Sequence, residues 1–176
     1  MKQTGHLIIL FLTFSFSILS CNINKSPKEG RDNTIAIENQ DVDLANQFDK
    51  YFKDPNQIIP FALYFKMTNE KLDTTFFSSI LSNDRIKNGD CIFYIVQINC
   101  IAGGDCAEYK LLSLCNFKFN SIKTIGKDRA DAEYSLQFSY KIIDSTKIDL
   151  INEEERYNDD FETVFDTIIR TPLELK

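Results

Sequence analysis

The 176-residue chain holds five cysteines, and four of them stand close together at Cys91, Cys100, Cys106 and Cys115. In "CIFYIVQINCIAGGDCAEYKLLSLC" they are mirror-symmetric about Gly103, with eight, five and eight residues between neighbours. Thiols grouped this way could bind zinc, exchange electrons or cross-link. A structural zinc site wants paired cysteines separated by roughly two to four residues, a spacing this run lacks. A thiol oxidoreductase wants a C-x-x-C pair at a helix start, which is also missing. Cross-linking is the chemistry that fits, and it needs an oxidising compartment.

The elements that would position these thiols can be argued from geometry. Residues 91–100 and 106–115 read as two strands joined by the loop "IAGGD", a length suited to a hairpin. A register centred on Gly103 sets Cys100 opposite Cys106 and Cys91 opposite Cys115. Opposed residues of an antiparallel pair have Cα atoms about 4.5 to 5.5 Å apart, within disulfide reach. The other pairings require a bond along one strand or between opposite ends, over roughly 30 Å. Cys91 and Cys100 are an odd number of residues apart, so the two bridges fall on opposite faces. One face carries Ile92, Tyr94, Val96, Ile98, Leu112 and Leu114; the other carries Phe93, Ile95, Tyr109 and Leu111, with Gln97 and Asn99 near the tip. The base of the hairpin is thus expected to be covered on both sides, and the tip to be wet. Loop-closure entropy gives about 3.5 kcal/mol for the outer bridge and about 2.4 kcal/mol for the inner one, with nesting making the sum an overestimate. Ala102, Gly103, Gly104 and Asp105 form a candidate binding loop, because its glycines permit close backbone approach; an ordinary turn is the plainer alternative.

The N-terminus, "MKQTGHLIILFLTFSFSILSC", reports the compartment. Lys2 begins a short basic region, and residues 7–19 are an uncharged, mostly apolar run. That run is too short for a bilayer span of about 20 residues and fits the core of a secretory signal. Its end, "ILSC", resembles the lipobox of bacterial lipoproteins. The resemblance implies cleavage ahead of Cys21 and lipid attachment to its sulfur and amino group, with Leu19 larger than the residue usual at its place. An ordinary secreted protein cut nearby, with Cys21 unmodified, is the alternative. In lipoproteins of this kind an aspartate after the cysteine favours the inner membrane. Asn22 stands there instead, which implies the outer membrane, and the lack of an acid before Glu29 favours its periplasmic face over the cell surface.

Without the signal the chain keeps 19 basic and 26 acidic side chains, a net charge of −7. This argues against a nucleic-acid partner and against a basic membrane-surface patch. The one histidine, His6, leaves with the signal, and tryptophan is absent. Catalysis by Ser-His-Asp or Cys-His, and metals ligated by histidine, are thereby closed. No cofactor, metal ligand set or catalytic residue can be assigned. "NEEERYNDD" at 152–160 holds five acids, but it lacks the alternating Asp and fixed Gly of a calcium loop and reads as a solvated hairpin turn.

Three segments follow: a signal peptide over 1–20, the lipidated Cys21 with a flexible tether to residue 40, and one globular β-rich domain over 41–176. The tether would span about 24 Å. In 41–53, Val42, Ala45, Phe48 and Phe52 recur at helical spacing, with Pro55 as a stop. "IIPFALYF" (58–65) reads as a strand bent or edged at Pro60. "LDTTFFSSILS" (72–82) is ambiguous: Leu72, Phe76 and Ile80 suit a helix begun at Asp73, which Thr74 and Thr75 weaken. Strands then follow at 91–99, 108–117, 121–125, 134–143 and 147–151, with "GKDRADAE" as a longer loop. "FETVFDTIIRT" (161–171) fits a helical face, yet six of its eleven residues are β-branched; strand is the preferred reading, paired with "KIDLI" through the acidic turn. The expected fold is mainly β (α+β), an antiparallel meander with one or two short N-terminal helices.

This layout of lipobox, polar tether, short helical region and β-meander resembles small lipoproteins of Bacteroidota, a class that brings no known activity with it. The expectation is a lipid-anchored, non-enzymatic domain that binds an envelope protein or polysaccharide. An inhibitor of a secreted hydrolase, with residues 101–105 as its plug, and a small hydrolase working through paired carboxylates are the alternatives.

Overall fold

The computed structural model describes residues 32–101, 106–160 and 162–176. The signal segment, Cys21 and the loop Ala102 to Asp105 lie outside them. Helix α1 (Asp32–Asp49) runs into a 3₁₀ turn, Lys50–Phe52. The helix expected from residue 41 is present but starts at Asp32, inside the span expected to be tether. No Gly or Pro lies between Asp32 and Pro55. Once Ala45 and Phe48 are anchored in the core, extending the helix backwards needs no new nucleation.

Helix α2 (Phe61–Thr68) replaces the strand expected for "IIPFALYF". Only Ile58 keeps a β-bridge, to Leu81. The Pro60 carbonyl accepts hydrogen bonds from the N–H groups of Leu63 and Tyr64, at 3.0 and 3.1 Å. Proline's fixed φ suits the helix entrance as well as a strand edge, and a short apolar run has no period to choose between them. Asn69, at φ 54°, closes the helix by donating its N–H to the Phe65 carbonyl at 2.8 Å, the left-handed cap that Asn tolerates.

Seven strands follow: β1 (Phe77–Asn88), β2 (Cys91–Cys100), β3 (Ala107–Cys115), β4 (Lys118–Ala130), β5 (Tyr134–Asp144), β6 (Lys147–Tyr157) and β7 (Thr163–Glu174). Each pairs antiparallel with the next, in sequence order, as a pure meander. The helix considered at 72–82 does not form. Asp73 instead accepts the backbone N–H and hydroxyl of Thr75 at 2.9 and 2.6 Å, an Asx-type turn that launches β1. Most of the long loop expected at 126–133 is the end of β4, and "NEEERY" is the end of β6. The acidic turn shrinks to the residues after Tyr157, where the Asn158 side-chain oxygen accepts the N–H groups of Asp160 and Glu162. The last segment is the strand β7, paired with β6 as expected.

The meander is not flat. β4 pairs with β5 only at Arg129 with Leu136 and Ala130 with Ser135. Beyond this corner β5 and β6 fold back across one face of β1–β4. The other face receives the helices. Tyr94, Val96, Ile98, Leu112 and Leu114 pack with Ala45, Phe48, Tyr64 and Met67 in one core. Phe93, Ile95 and Leu111 pack with Phe138, Ile148, Leu150 and Leu175 in a second. β2 and β3 are therefore the central layer of a sandwich of helices, sheet and sheet.

The fold-back depends on one glycine. A Cβ placed on Gly126 would lie 2.1 Å from two ring carbons of Phe138, so the aromatic ring rests directly on the β4 backbone. Asp128 fastens the same corner, accepting the Phe138 N–H at 2.6 Å and the Tyr109 hydroxyl at 2.8 Å. Gly126→Ala is expected to lower stability by about 3 kcal/mol, the upper part of the range for overpacking. In the Gly126→Ala/Phe138→Ala double variant, the space vacated by the ring accepts the methyl group, so the two costs should not add. Denaturant unfolding of the two single variants and the double variant measures this.

Candidate functional site

The β2–β3 hairpin has the register expected of it. Cys91 faces Cys115, and Asn99 faces Ala107. The Cys100 N–H donates to the Cys106 carbonyl at 3.1 Å. Both disulfides form, Cys91–Cys115 with Cα atoms 4.1 Å apart and Cys100–Cys106 with Cα atoms 5.4 Å apart. Two such bridges mark a non-reducing, exported environment. Beside the candidate loop, Ile101 is exposed and bonds its N–H to the Phe76 carbonyl at 2.7 Å, which ties the loop's first residue to the start of β1.

At the opposite end of the hairpin a cleft of about 220 Å³ opens between α1 and two turns. The β1–β2 turn bends at Gly89, with φ 59°, and the β3–β4 turn at Asn116 and Phe117, with φ 52° and 63°. Positive φ at both central residues gives the tight turn that matches strand twist. A phenylalanine there is unusual, because its Cβ crowds the backbone. Phe117 is half exposed at the cleft mouth.

Charge in the cleft is balanced. Asp49 Oδ1 accepts the Arg85 Nε–H at 2.5 Å and the Tyr94 hydroxyl at 2.7 Å. Lys87 and Asp90 stand exposed on the rim. Asp49 comes from the last turn of α1, Arg85 from β1 and Tyr94 from β2, so the cluster docks the helix on the sheet as well as lining the cleft. Asp90 is exposed, and Asp49 is held as the counter-ion of Arg85. The arrangement offers a polar group one paired carboxylate and guanidinium and two exposed rim charges.

Among the described residues the acids of the C-terminal region form no cluster of three, although Glu155 of β6 faces Asp166 of β7. Glu153, Glu154 and Glu155 alternate across β6, and Glu154 is paired with Arg156 at 2.8 Å. Strand alternation thus sets Glu154 on one face and Glu153 and Glu155 on the other. Tyr157 donates its hydroxyl to Glu155.

Phenol–carboxylate contacts recur through the fold, and sequence reading missed them. Besides Tyr94 with Asp49 and Tyr109 with Asp128, Tyr64 donates to Glu70 and Tyr140 to Asp84, each at 2.5 Å. Glu70 also receives the nearly buried Lys110 at 2.8 Å. The partners of Tyr94 and Tyr140 are 45 and 56 residues away in the chain, so no local spacing signals them. No family model, curated protein or solved structure matches the chain, and its chemistry is read from its own residues.

These contacts set a pH limit. Burial first, and then the neighbouring carboxylate, push the phenols of Tyr64, Tyr94, Tyr109 and Tyr140 well above their ordinary value of 10.0. An unfolded chain ionises its tyrosines near that ordinary value, while the folded chain keeps these four protonated. Their contribution is complete below about pH 10 and is lost progressively as pH rises above it. Alkaline titration followed by tyrosinate absorbance and far-ultraviolet circular dichroism should show the four phenols ionising together with unfolding. Ionisation of all phenols near their ordinary value with the sheet intact would contradict this.

Proposed function

We propose that this chain is a lipid-anchored domain of the cell envelope that works by binding rather than by catalysis. The observation that carries the proposal is the hairpin cross-linked at both ends, which belongs to an exported chain and agrees with a signal segment ending in "ILSC". Cys21 is the attachment point. Several acyl chains at one cysteine give firm membrane association, because each buried CH₂ contributes about 0.8 kcal/mol. Asn22, and the absence of acids before Glu29, favour the periplasmic face of the outer membrane.

Support for binding comes from the domain's surface. The cleft beside α1, at about 220 Å³, is smaller than the roughly 300 to 1,000 Å³ typical of pockets that enclose a small molecule. Asp49 and Arg85 are paired within the protein, while Lys87 and Asp90 stand free on the rim to meet a partner. A partner would contact it as part of a wider surface, which suits an envelope protein or polysaccharide.

Intact mass of the full chain extracted from its host's membranes tests the anchor. The expected species begins at Cys21 and carries added acyl mass, and Cys21→Ala should accumulate as the uncut precursor. A soluble, unacylated chain that ignores Cys21→Ala would overturn the proposal.

A further inference from the structure

The two edges of the meander are treated differently. On the β1 edge, the N–H groups of Asn56 and Ile59 donate to Ser82 and Ile80 at 2.6 and 2.8 Å, and Ser82 donates to Gln57 at 2.9 Å. The segment before α2 therefore covers that edge. β7, twelve residues long, has β6 as its one strand neighbour among the described residues. It also exposes large apolar side chains: Val164 is 63 % accessible, Phe165 45 %, Ile168 54 % and Ile169 53 %. A long, apolar, open edge is the arrangement that soluble proteins avoid unless something pairs with it.

The direction of the free backbone groups can be worked out. Leu175 donates its N–H to the Thr146 carbonyl at 2.7 Å, in register with Lys147 facing Glu174. Backbone groups alternate sides along a strand, so from Phe165 onward odd-numbered residues of β7 face β6; a bulge at Val164, between Phe165 facing Arg156 and Thr163 facing Tyr157, breaks the alternation before that point. The backbone groups of Asp166, Ile168, Arg170 and Pro172 face outwards. Pro172, which has no N–H to offer a ladder, falls on the open side, where an edge strand tolerates it.

We infer that β7 pairs antiparallel with β7 of a second copy of this chain, with Ile168 on the twofold axis. Charge selects the register. Centring the pair on Asp166 or on Arg170 sets like charges face to face. The two intermediate registers set both charges against apolar residues or proline. With Ile168 facing its own copy, Asp166 lies opposite Arg170 of the partner copy, and the reverse pair follows by symmetry. The outward N–H groups of Asp166, Ile168 and Arg170 then meet carbonyls, and Pro172, which needs only to accept, falls opposite the bulge at Val164. On the other face Thr167 meets Ile169 and Phe165 meets Thr171. The like-charged Glu162 and Glu174 meet only past the first residue of the strand, where pairing ends. The result is one continuous sheet through both copies, closed by the twofold axis so that no new edge is created at the junction. The inference does not depend on how the chain is anchored.

Ile168→Cys tests it in the full chain. Residues facing each other in a hydrogen-bonded antiparallel pair have Cα atoms about 5.5 Å apart, within disulfide range. Mild oxidation should therefore give a covalent dimer as the main species on a non-reducing gel. Val164→Cys, on the same edge, would sit roughly 27 Å from its own copy and should stay monomeric. Asp166→Arg should weaken association of the otherwise unaltered chain, and Asp166→Arg/Arg170→Asp should restore it. An Ile168→Cys chain that remains monomeric with its native disulfides intact would overturn the inference. So would equal cross-linking at position 164, or a monomer mass for the unaltered chain at high concentration in density-matched detergent.

Discussion

The constraint on which the structure depends is the burial of β2 and β3 on both faces. A strand with one wet face can slip by two residues and lose little. A strand buried on both sides cannot slip at all, because every side chain has a fitted neighbour above or below. Tyr94, Val96, Ile98, Leu112 and Leu114 are committed to the helices, and Phe93, Ile95 and Leu111 to the folded-back sheet. The two disulfides enclose this hairpin, one at each end, so covalent and packing restraints agree on a single register. Everything else is attached to it. The helices dock through Phe48, Tyr64 and the Asp49–Tyr94 bond, and the second layer docks through Phe138 lying on Gly126.

Much of this was legible because cysteine spacing encodes register directly. The positions 91, 100, 106 and 115 are consistent with only one hairpin centre, and the alternating apolar residues around them indicate two covered faces. The meander was legible from β-branched runs and short turns, including β7, where β-branched content outweighed a competing helical period. The misreadings share one cause. "IIPFALYF" and "LDTTFFSSILS" are short apolar stretches whose spacing fits both periods, and what decides them lies elsewhere. Tyr64 and Met67 are drawn into the helix-side core, while Asp73 is used up in a turn with Thr75. Strands β4 and β6 outran their apolar segments, since ladder hydrogen bonds continue through polar residues such as Lys127 and Glu154 once a neighbour is in place.

The candidate site was much less legible than the fold. Asp49, Arg85 and Tyr94 come from three elements, and nothing local marks any of them. A tyrosine that packs its ring in a core must find a partner for its hydroxyl. In an acidic protein whose one histidine, His6, lies outside the described residues, carboxylates are the abundant acceptors, and this chain uses them at Tyr64, Tyr94, Tyr109 and Tyr140. These contacts join layers: Tyr140 on β5 reaches Asp84 on β1, and Tyr94 on β2 reaches Asp49 on α1. These four carboxylates thus serve the architecture of the fold.

The most direct test of the central claim is the disulfide connectivity of the unreduced protein, mapped by mass spectrometry after proteolysis under conditions that block thiol exchange. The hairpin register requires Cys91 joined to Cys115 and Cys100 joined to Cys106, each quantitatively. Any peptide joining Cys91 to Cys100 or to Cys106, or free thiols at any of these four positions in the folded chain, would contradict the register and with it the packing of both cores.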